Sequence, residues 1–305
     1  MKKALITGSQ GFVGYYLRRE LEEHGYVTTG LDLQTGGGVI VADLLDDEIV
    51  KTIIAKEQPD MIIHLAGQAN VRKSWEFPQK TIKLNVIATI NLMEAVRYKK
   101  PECRMVLVGS ADQYGNLGEA GKLVDETFPS HPQTPYAVSK KAQEEMAGVY
   151  VKAYGLNISM TRSFNHAGAR QGKGYLIPDF ASGIVAVEQG KQKCLRVGNL
   201  TRRRDFTHVR DVVRAYRLIA EQGRAGEVYN VGSGITYSAK EILDKLCDLA
   251  RCPIVIEQDP TKMRPNDTPV ICCDHSKLTE HTGWEPTISM DEILKEVIDY
   301  WREEP

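Results

Sequence analysis

KALITGSQGFVG (residues 3–14) decides the fold of this chain. The apolar run Lys3 to Thr7 passes directly into Gly8, Gly11 and Gly14, which are spaced three residues apart, and a helical pattern follows. Glycine is required where the turn from a strand to a helix is tight, and where the backbone approaches a phosphate at a helix N-terminus. On its own the glycine trio fits any strand–helix turn, so its context must decide.

An acidic residue supplies that context. Asp32 ends the next strand pattern, Tyr26 to Leu31, about 20 residues beyond the glycines, where a ribose-binding carboxylate is expected. A carboxylate accepts hydrogen bonds from ribose hydroxyls and repels a 2′-phosphate, and no arginine follows it in LDLQTGGG (31–38). The sequence therefore predicts a dinucleotide site, with NAD(H) favoured over NADP(H).

Apolar strand patterns alternate with helical patterns through the first 165 residues. The predicted strands are Lys3 to Thr7, Tyr26 to Leu31, Asp60 to Leu65, Cys103 to Ser110 and Asn157 to Thr161, and the predicted helices, including two beyond this region, are Phe12 to His24, Asp46 to Gln58, Lys80 to Tyr98, Tyr136 to Tyr154, Ala239 to Ala250 and Met290 to Trp301. Nearly continuous apolar strands separated by helices are typical of a parallel sheet covered on both faces. We predict an α/β fold with a doubly wound parallel sheet, a Rossmann fold.

The pattern loosens after residue 165, where 165–180 is rich in glycine and polar residues. We expect an NAD-binding Rossmann domain over 1–165 plus about 205–235. A smaller, irregular C-terminal substrate-binding part would cover about 166–204 plus 236–305. No linker rich in Pro or Ser separates the two, so we expect them to share one body with a cleft between them.

The composition excludes several classes of partner. The 305 residues are 42% hydrophobic and 26% charged, as in globular proteins, and the net charge is −1. That charge gives no electrostatic reason to expect nucleic acid or an anionic membrane as the main partner. No apolar stretch reaches membrane-spanning length, and glycines interrupt the signal-like start MKKALITG. We therefore expect a cytoplasmic protein.

The six cysteines form no CxxC pair and show no histidine spacing typical of zinc sites. Adjacent Cys272 and Cys273 would point to opposite faces of a strand. We expect buried free thiols and no metal.

PYAVSKKA (135–142) contains Tyr136 and Lys140, which lie on one face if the stretch is helical. An unperturbed tyrosine has a pKa near 10 and is a poor acid–base group. A nearby lysine cation and a charged cofactor favour the phenolate and lower that pKa toward working pH. A tyrosine and a lysine at this spacing also occur by chance on surface helices, but here they follow a glycine trio.

These features together resemble the extended short-chain dehydrogenases/reductases over nearly the whole chain. The resemblance rests on the glycine trio, Asp32, ADLLD (42–46), HLAG (64–67), LNVIATINLMEA (84–95), Ser110 and the Tyr-Lys pair. It implies that Asp43 and Leu44 contact the adenine, that Leu65, Ala66 and Gly67 line the cofactor together with Phe12, Val13 and His166, and that Ser110, Tyr136 and Lys140 are catalytic. Members of the family usually have alanine at the position of Gly67.

The C-terminal half resembles the branch that acts on nucleotide-diphosphate sugars. RSFNHAG (162–168), RRDFTHVRD (203–211) and MRPNDTPV (263–270) carry this likeness, which is strongest to GDP-mannose 4,6-dehydratases and GDP-4-dehydro-6-deoxymannose reductases. It implies that Arg204 and Arg264 bind the diphosphate, Asn165 the sugar-phosphate and Asp267 the nucleoside ribose. For Arg202 and Arg203 we favour a solvated loop.

GSADQYG (109–115) separates the two activities. The dehydratases have Ser or Thr, then Ser or Asp, then Glu at this point, because removing water requires an acid and a base beyond the hydride site. Here Ala111 has no proton to give, and Asp112 is one methylene shorter than glutamate. We therefore expect reduction of the C4 ketone of GDP-4-dehydro-6-deoxy-D-mannose. Asp112 stays a candidate catalytic residue, and the loop from Asn116 to Lys122 is an equal candidate for that role.

Three alternatives remain open at this point: a GDP-mannose 4,6-dehydratase, a nucleotide-sugar 4-epimerase with the same triad, and a non-catalytic NAD-sensing protein. The intact Tyr136 and Lys140 disfavour the last. The family resemblance further implies a homodimer through the helices Lys80–Tyr98 and Tyr136–Tyr154.

Overall fold

The computed structural model describes residues 1–115, 123–262 and 271–304. The strands are Lys3–Thr7 (β1), Val27–Asp32 (β2), Val39–Val41 (β3), Met61–His64 (β4), Arg104–Val108 (β5), Leu123–Val124 (β6), Ile158–Ser163 (β7), Asn165–Ala167 (β8), Leu195–Val197 (β9), Arg203–His208 (β10), Val228–Val231 (β11), Thr236–Ser238 (β12), Ile256–Gln258 (β13) and Cys272–Cys273 (β14). The helices are Phe12–Glu23 (α1), Asp47–Glu57 (α2), Val71–Glu76 (α3), Pro78–Ile82 (α4), Ala88–Lys99 (α5), Pro135–Tyr154 (α6), Leu176–Glu188 (α7), Val209–Gln222 (α8), Ala239–Asp248 (α9), Ser276–Thr282 (α10) and Met290–Glu303 (α11). A π-helical turn, Lys83–Ile87, joins α4 to α5, and 3₁₀ turns cover Ala111–Tyr114 and Pro260–Lys262.

A parallel sheet forms the centre of the molecule. Within the described residues it has seven strands in the order β11-β7-β5-β4-β1-β2-β3. The order reverses direction between β1 and β4, so the carboxyl ends of these strands flank a crevice where ligands bind in doubly wound sheets. The predicted α/β fold with a doubly wound parallel sheet is confirmed.

Side chains alternate between the two faces of the sheet. Leu5 joins a core cluster with buried residues of α2 and α5, whereas its neighbour Ile6 joins a separate cluster with residues of α1 and α8. Both side chains are almost fully buried, and each such burial contributes about 2 kcal/mol relative to exposure. Helices therefore cover both faces, as the nearly all-apolar strands require.

The C-terminal part has its own apolar core. Residues of α7, α9 and α11 pack around Ile184, Leu243 and Leu294. A smaller sheet, β12-β10-β8, lies among the C-terminal elements. The part is smaller and less regular than the Rossmann sheet, as expected, although the sequence analysis did not identify the helices α7 and α8. The domain boundaries given above stay a prediction.

None of the helices in the described ranges combines the length and apolarity that a membrane crossing requires.

Three of the cysteines, Cys103, Cys272 and Cys273, are buried free thiols as expected. The other three, Cys194, Cys247 and Cys252, are free but partly exposed, so the expectation of uniform burial is wrong for them. Cys272 and Cys273 do lie on a strand.

Candidate active site

The glycine turn closes tightly against the neighbouring strand. Gly8 follows β1 with φ +70°, and a Cβ there would stand 2.8 Å from the amide nitrogen of Ala66. A Cβ on Gly14 would stand 2.6 Å from the carbonyl oxygen of Gly8. Gly11 is the N-cap of α1 and provides no side-chain cap, so the first-turn N–H groups of α1 stay available to an anion.

Asp32 is fixed at the end of β2 by two backbone donors. Its Oδ2 accepts a hydrogen bond from Gln10 N (2.9 Å) and its Oδ1 accepts one from Gln34 N (3.0 Å). Each carboxylate oxygen can accept a further bond, which a ribose hydroxyl is able to donate. The carboxylate is therefore oriented from both the glycine turn and the loop after β2.

A pocket with both polar and apolar lining residues lies beside Asp43. It measures about 460 Å³, and its lining residues are Leu33, Asp43, Leu45, Gln79, Lys80, Lys83 and Leu84. Asp43 is exposed there, and its Oδ1 accepts a hydrogen bond from Leu45 N (2.9 Å). The side chain of Leu44 points into the core instead, where it is 6% exposed. Asp43 lines this pocket and Leu44 does not, and the contact of both residues with the adenine stays a prediction.

The turn after β4 explains the glycine that departs from the family pattern. A Cβ on Gly67 would stand 2.7 Å from Asn85 Oδ1. That oxygen accepts a hydrogen bond from Gln68 N (2.7 Å), so it is not free to move away. Ala66 N donates to Thr7 Oγ1 (3.2 Å), which fastens the turn to β1, while the partly buried Leu65 packs on the core.

The helix α6 carries Tyr136 and Lys140 one turn apart. Thr134 caps the helix, because its Oγ1 accepts a hydrogen bond from Ala137 N (3.0 Å). Tyr136 and Lys140 are both buried, with exposed fractions of 8% and 7%. Lys140 Nζ donates to Val108 O (2.7 Å) at the end of β5. Burial lowers the pKa of Lys140 to about 8.

Tyr136 lies beside Ser110, close enough for the Ser110 side chain to affect the pKa of the phenol. Burial, reinforced by the negative charge of Asp112, raises the pKa of Tyr136 well above its ordinary value, while the Ser110 side chain lowers it. The expected downward shift is therefore wrong for the protein alone, because burial and the negative charge of Asp112 both raise the pKa of Tyr136 and the Ser110 side chain offsets them only in part. The phenol is protonated at neutral pH, which suits a proton donor.

A buried chain of side chains holds Ser110 in place. Ser110 N donates to Gln113 Oε1 (3.2 Å), and Gln113 Nε2 donates to Glu144 Oε2 (2.7 Å) on α6. Glu144 in turn accepts two hydrogen bonds from Arg162 on β7 (2.8 and 2.9 Å). Neither Gln113, which bonds Ser110 directly, nor Glu144 and Arg162 behind it were predicted as site residues. The available signal was spacing, since Glu144 lies four residues after Lys140, on the same face of the helix.

Ala111 and Asp112 lie on different sides of the turn. Ala111 is buried in a small core cluster with Tyr114, Val124 and Phe164, whereas Asp112 is exposed and affects the pKa of Tyr136. The Asn116–Lys122 loop lies outside the described residues.

The predicted substrate residues Asn165 and Arg204 lie on the paired strands β8 and β10. Asn165 is exposed, and its Nδ2 donates to Asp205 O (3.3 Å). Arg204 lies on β10, and its Nη1 donates to Arg203 O (2.7 Å). The solvated loop expected for Arg203 is wrong: it lies in the same strand and pairs with Glu241 (2.9 Å). Arg264 and Asp267 lie outside the described residues.

His166 and Phe12 connect β8 to the glycine turn. Their rings are stacked, with centroids 6.2 Å apart and an interplanar angle of 9°. His166 Nδ1 donates to Phe164 O (3.1 Å), and burial lowers the pKa of the imidazole, which is neutral as a result. Val13, the next residue of α1, is half-buried against the core.

The buried carboxylate of Asp205 holds the strand β10 in place, and the sequence did not predict this role. The fully buried carboxylate accepts hydrogen bonds from Ser233 N (2.8 Å), Ser233 Oγ (2.7 Å), Gly234 N (2.8 Å) and Cys273 N (3.0 Å). These bonds connect β10 to β14 and to the loop after β11. No local pattern indicates such contacts.

The described residues fit a nicotinamide dinucleotide. Gly8 and Gly14 have no room for a Cβ, two backbone donors orient the Asp32 carboxylate, and Ser9 Oγ is buried without a partner among the described residues. A buried hydroxyl of this kind is commonly satisfied by a ligand or water.

Comparison with known proteins identifies relatives along the full length. The model of the GDP-mannose 4,6-dehydratase family matches residues 5–297. The chain is 33% identical over 301 residues to the GDP-6-deoxy-D-mannose reductase of Pseudomonas aeruginosa, covering 98% of this chain and 97% of that protein. The fold superposes on the structure of RMD from Pseudomonas aeruginosa complexed with NADPH, with a TM-score of 0.91, 32% identity and full coverage of both chains.

It also superposes on the Thermus thermophilus UDP-glucose 4-epimerase complex with NAD, with a TM-score of 0.88, 28% identity, and coverage of 99% of this chain and 100% of that one. The glycine turn, the cluster of Ser110, Tyr136 and Lys140, and the full-length likeness all indicate the same family. The chain belongs to the GDP-mannose 4,6-dehydratase family, within the short-chain dehydrogenases/reductases that act on nucleotide sugars.

Proposed function

We propose that this protein reduces the C4 ketone of GDP-4-dehydro-6-deoxy-D-mannose to a GDP-6-deoxyhexose of the rhamnose type. A bound nicotinamide dinucleotide supplies the hydride. Ser110 donates a hydrogen bond to the ketone oxygen, and Tyr136 gives its phenolic proton to that oxygen. The Lys140 ammonium stabilises the phenolate left behind and binds the ribose next to the nicotinamide.

The protonated Tyr136 beside Ser110 is the observation that carries this proposal. Reduction of a ketone needs a proton donor within reach of the oxygen, and burial keeps the phenol in its donor form. Because the Ser110 side chain lies close enough to affect the pKa of Tyr136, one small atom, the ketone oxygen, is expected to reach both hydroxyls. The likeness to the GDP-6-deoxy-D-mannose reductase supports the same direction.

A nucleotide-sugar substrate follows from the family, and the finer choice of a GDP sugar is part of the proposal. Arg204 and Asn165 lie on adjacent strands of the small sheet and are candidates for contacts with the diphosphate and the sugar-phosphate. Arg264 and Asp267 stay predictions for the diphosphate and the nucleoside ribose.

NADH is the favoured cofactor in this proposal. A 2′-phosphate at the adenosine ribose would bring negative charge against Asp32, which two backbone donors hold in place. The related RMD structure contains NADPH, and the related epimerase contains NAD, so both cofactors occur in this fold. We infer that Asp32 shifts the preference toward NADH.

A 4,6-dehydratase is the second candidate, because the matching family model carries that name. Such a reaction needs an acid and a base besides Tyr136. Ala111 faces the core and has no ionisable group, which leaves Asp112 as the candidate base among the described residues of this turn. The reductase therefore needs fewer groups than the dehydratase, and the site provides those groups.

Two parallel reactions test the proposal. In the first, purified protein receives the 4-keto sugar nucleotide and NADH, and the absorbance of the reduced nicotinamide is followed. In the second, it receives GDP-mannose and NAD, and the products are analysed by mass spectrometry. We expect NADH oxidation in the first and no loss of water in the second. The reverse pattern would replace the proposal with the dehydratase, and a C4 epimer formed without net NADH change would indicate an epimerase.

We also propose a homodimer through α5 and α6, in a cytoplasmic protein. Apolar side chains are exposed along the π turn and these helices, namely Ile87, Tyr98, Val138, Val149 and Tyr154. Burying such a row against a second copy would remove apolar surface from water. Light scattering on the wild type and on a Val149→Lys variant tests the dimer: the variant should be monomeric.

A further inference from the structure

A buried glutamine contacts the candidate catalytic lysine. Gln143 lies three residues after Lys140 on α6 and is 2% exposed. Its Oε1 accepts a hydrogen bond from Lys140 Nζ at 3.0 Å. The amide nitrogen of Gln143 is buried and has no partner among the described residues. The contact with Lys140 is therefore what orients this amide, and the amide is not part of a wider polar network in the described chain.

The Lys140 ammonium has three N–H donors, and two of them donate hydrogen bonds within the described residues. One reaches Val108 O at 2.7 Å and one reaches Gln143 Oε1 at 3.0 Å. Both acceptors are neutral, and a buried ammonium needs such acceptors because it has lost its water. The third donor is left for a ligand in the cleft.

Among the described residues, no charged neighbour takes the place of Gln143 in stabilising the Lys140 ammonium. From β4, His64 faces Lys140, but burial together with the lysine charge lowers the pKa of His64 to about 3, so the imidazole is neutral. From α6 itself, Tyr136 is a protonated phenol, and Glu144 is paired with Arg162. From the turn after β5, Asp112 is exposed and acts on Tyr136. None of the hydrogen bonds described for Lys140 goes to a carboxylate.

We propose that Gln143 is a positioning residue, which keeps the buried Lys140 ammonium charged and fixed against Val108 so that its third N–H bond serves the cleft. This inference rests on the proposed function only for the role of Lys140 in the reaction. The effect of Gln143 on the charge of Lys140 depends on the chain alone, whatever the reaction. A carbonyl oxygen beside the ammonium stabilises its charged form, whereas an apolar group there favours the neutral amine.

Two substitutions should move the titration of Lys140 in opposite directions. Gln143→Leu removes the acceptor and should lower the titration midpoint by about one pH unit. Gln143→Glu places a carboxylate at the same position and should raise the midpoint by at least as much. Gln143→Met is the second apolar variant, of nearly the same length as glutamine, in case leucine packs poorly.

The measurement is an NMR titration of the full-length chain labelled with ¹³Cε-lysine, with and without added NADH. The Lys140 signal is assigned by its loss in Lys140→Met, and the partly exposed neighbour Lys141 provides an internal control in each spectrum. Opposite shifts of Lys140 with an unchanged Lys141 support the inference. Shifts of the same sign in both variants, or no shift in either, would overturn it.

Kinetics form a separate arm. If the 4-keto sugar is a substrate, the alkaline limb of the kcat/KM profile should move with the NMR midpoint, down in Gln143→Leu and up in Gln143→Glu. A limb that stays in place while the NMR midpoint moves would overturn the role of Gln143 in the reaction. If the wild type does not reduce the ketone, the proposed function fails, and the NMR titration still decides whether Gln143 holds the charged lysine.

Discussion

Replacing the buried lysine should stabilise the protein while inactivating it. Lys140 is 7% exposed, and burial lowers its pKa from 10.5 to about 8. Because the folded state disfavours the charged amine, the native protein has a free-energy cost at every pH at which the unfolded chain carries this charge. Lys140→Met removes the charge and keeps most of the apolar stem.

The magnitude follows from the two pKa values. Their difference corresponds to a cost of about 3 kcal/mol below pH 8, where Lys140 is charged in both states. The cost decreases as the pH rises through the folded pKa, and at pH 10 about 1 kcal/mol remains. The two acceptors that lose their partner, Val108 O and Gln143 Oε1, add a penalty of about 1 kcal/mol each with little pH dependence.

Urea unfolding at pH 7 and pH 10 measures this effect. The stability of Lys140→Met relative to wild type should be about 2 kcal/mol more favourable at pH 7 than at pH 10. Lys141→Met is the matched control, because that lysine is partly exposed and paired with Glu144 and Glu145. The control should show no gain at pH 7. A pH-independent difference for Lys140→Met would refute the argument that burial of its charge is costly.

Three further changes test other parts of the site. Tyr136→Phe removes the proton donor, so kcat should fall about 10³-fold while calorimetry shows unchanged binding of the sugar nucleotide; retained turnover would rule out this donor. Gln113→Leu releases Ser110 and should lower kcat about tenfold with little change in KM, whereas the exposed control Gln189→Leu should leave both unchanged; a lower Tm with normal kcat would make Gln113 purely structural. Asp32→Ala should raise KM for NADH and improve NADPH relative to NADH, and a preference that does not change would exclude Asp32 as its source.

Local patterns were sufficient for five of the seven strands of the Rossmann sheet, whereas β3 and β11 were not predicted. The glycine turn is visible because the required residue type repeats within seven positions, and α2 is visible because Asp46 caps it and Gln58 ends it. The predicted strands from Lys3 to Thr161 all occur, within a few residues of the expected ends. These elements depend on short-range chemistry that can be recognised without knowing the partners.

The helices α7 and α8 were missed for different reasons. In α7, LIPDFASGIVAVE is apolar on nearly all sides and has Pro178 in its first turn, so it lacks the periodicity that indicates a surface helix. In α8, VRDVVRAYRLIAEQ is strongly amphipathic, but it follows directly on β10, so no loop or turn residue marks where the helix begins.

The contacts that hold the site could not be predicted from one sequence. Gln113 and Glu144 are 31 positions apart, and Asp205 and Cys273 are 68 apart. No pattern in the intervening residues indicates that these groups meet. The direction of the Tyr136 pKa shift also could not be predicted from the sequence, because it depends on how completely the fold buries the phenol.

The most direct test of the proposed reaction is an isotope transfer. Protein, GDP-4-dehydro-6-deoxy-D-mannose and NADH deuterated at the transferable C4 position of the nicotinamide are combined, and the product is examined by NMR and mass spectrometry. We expect one deuterium at C4 of the sugar for each NADH oxidised, and a transfer about 10³-fold slower with Tyr136→Phe. A product without deuterium at C4, or unchanged NADH while the protein removes water from GDP-mannose, would contradict it.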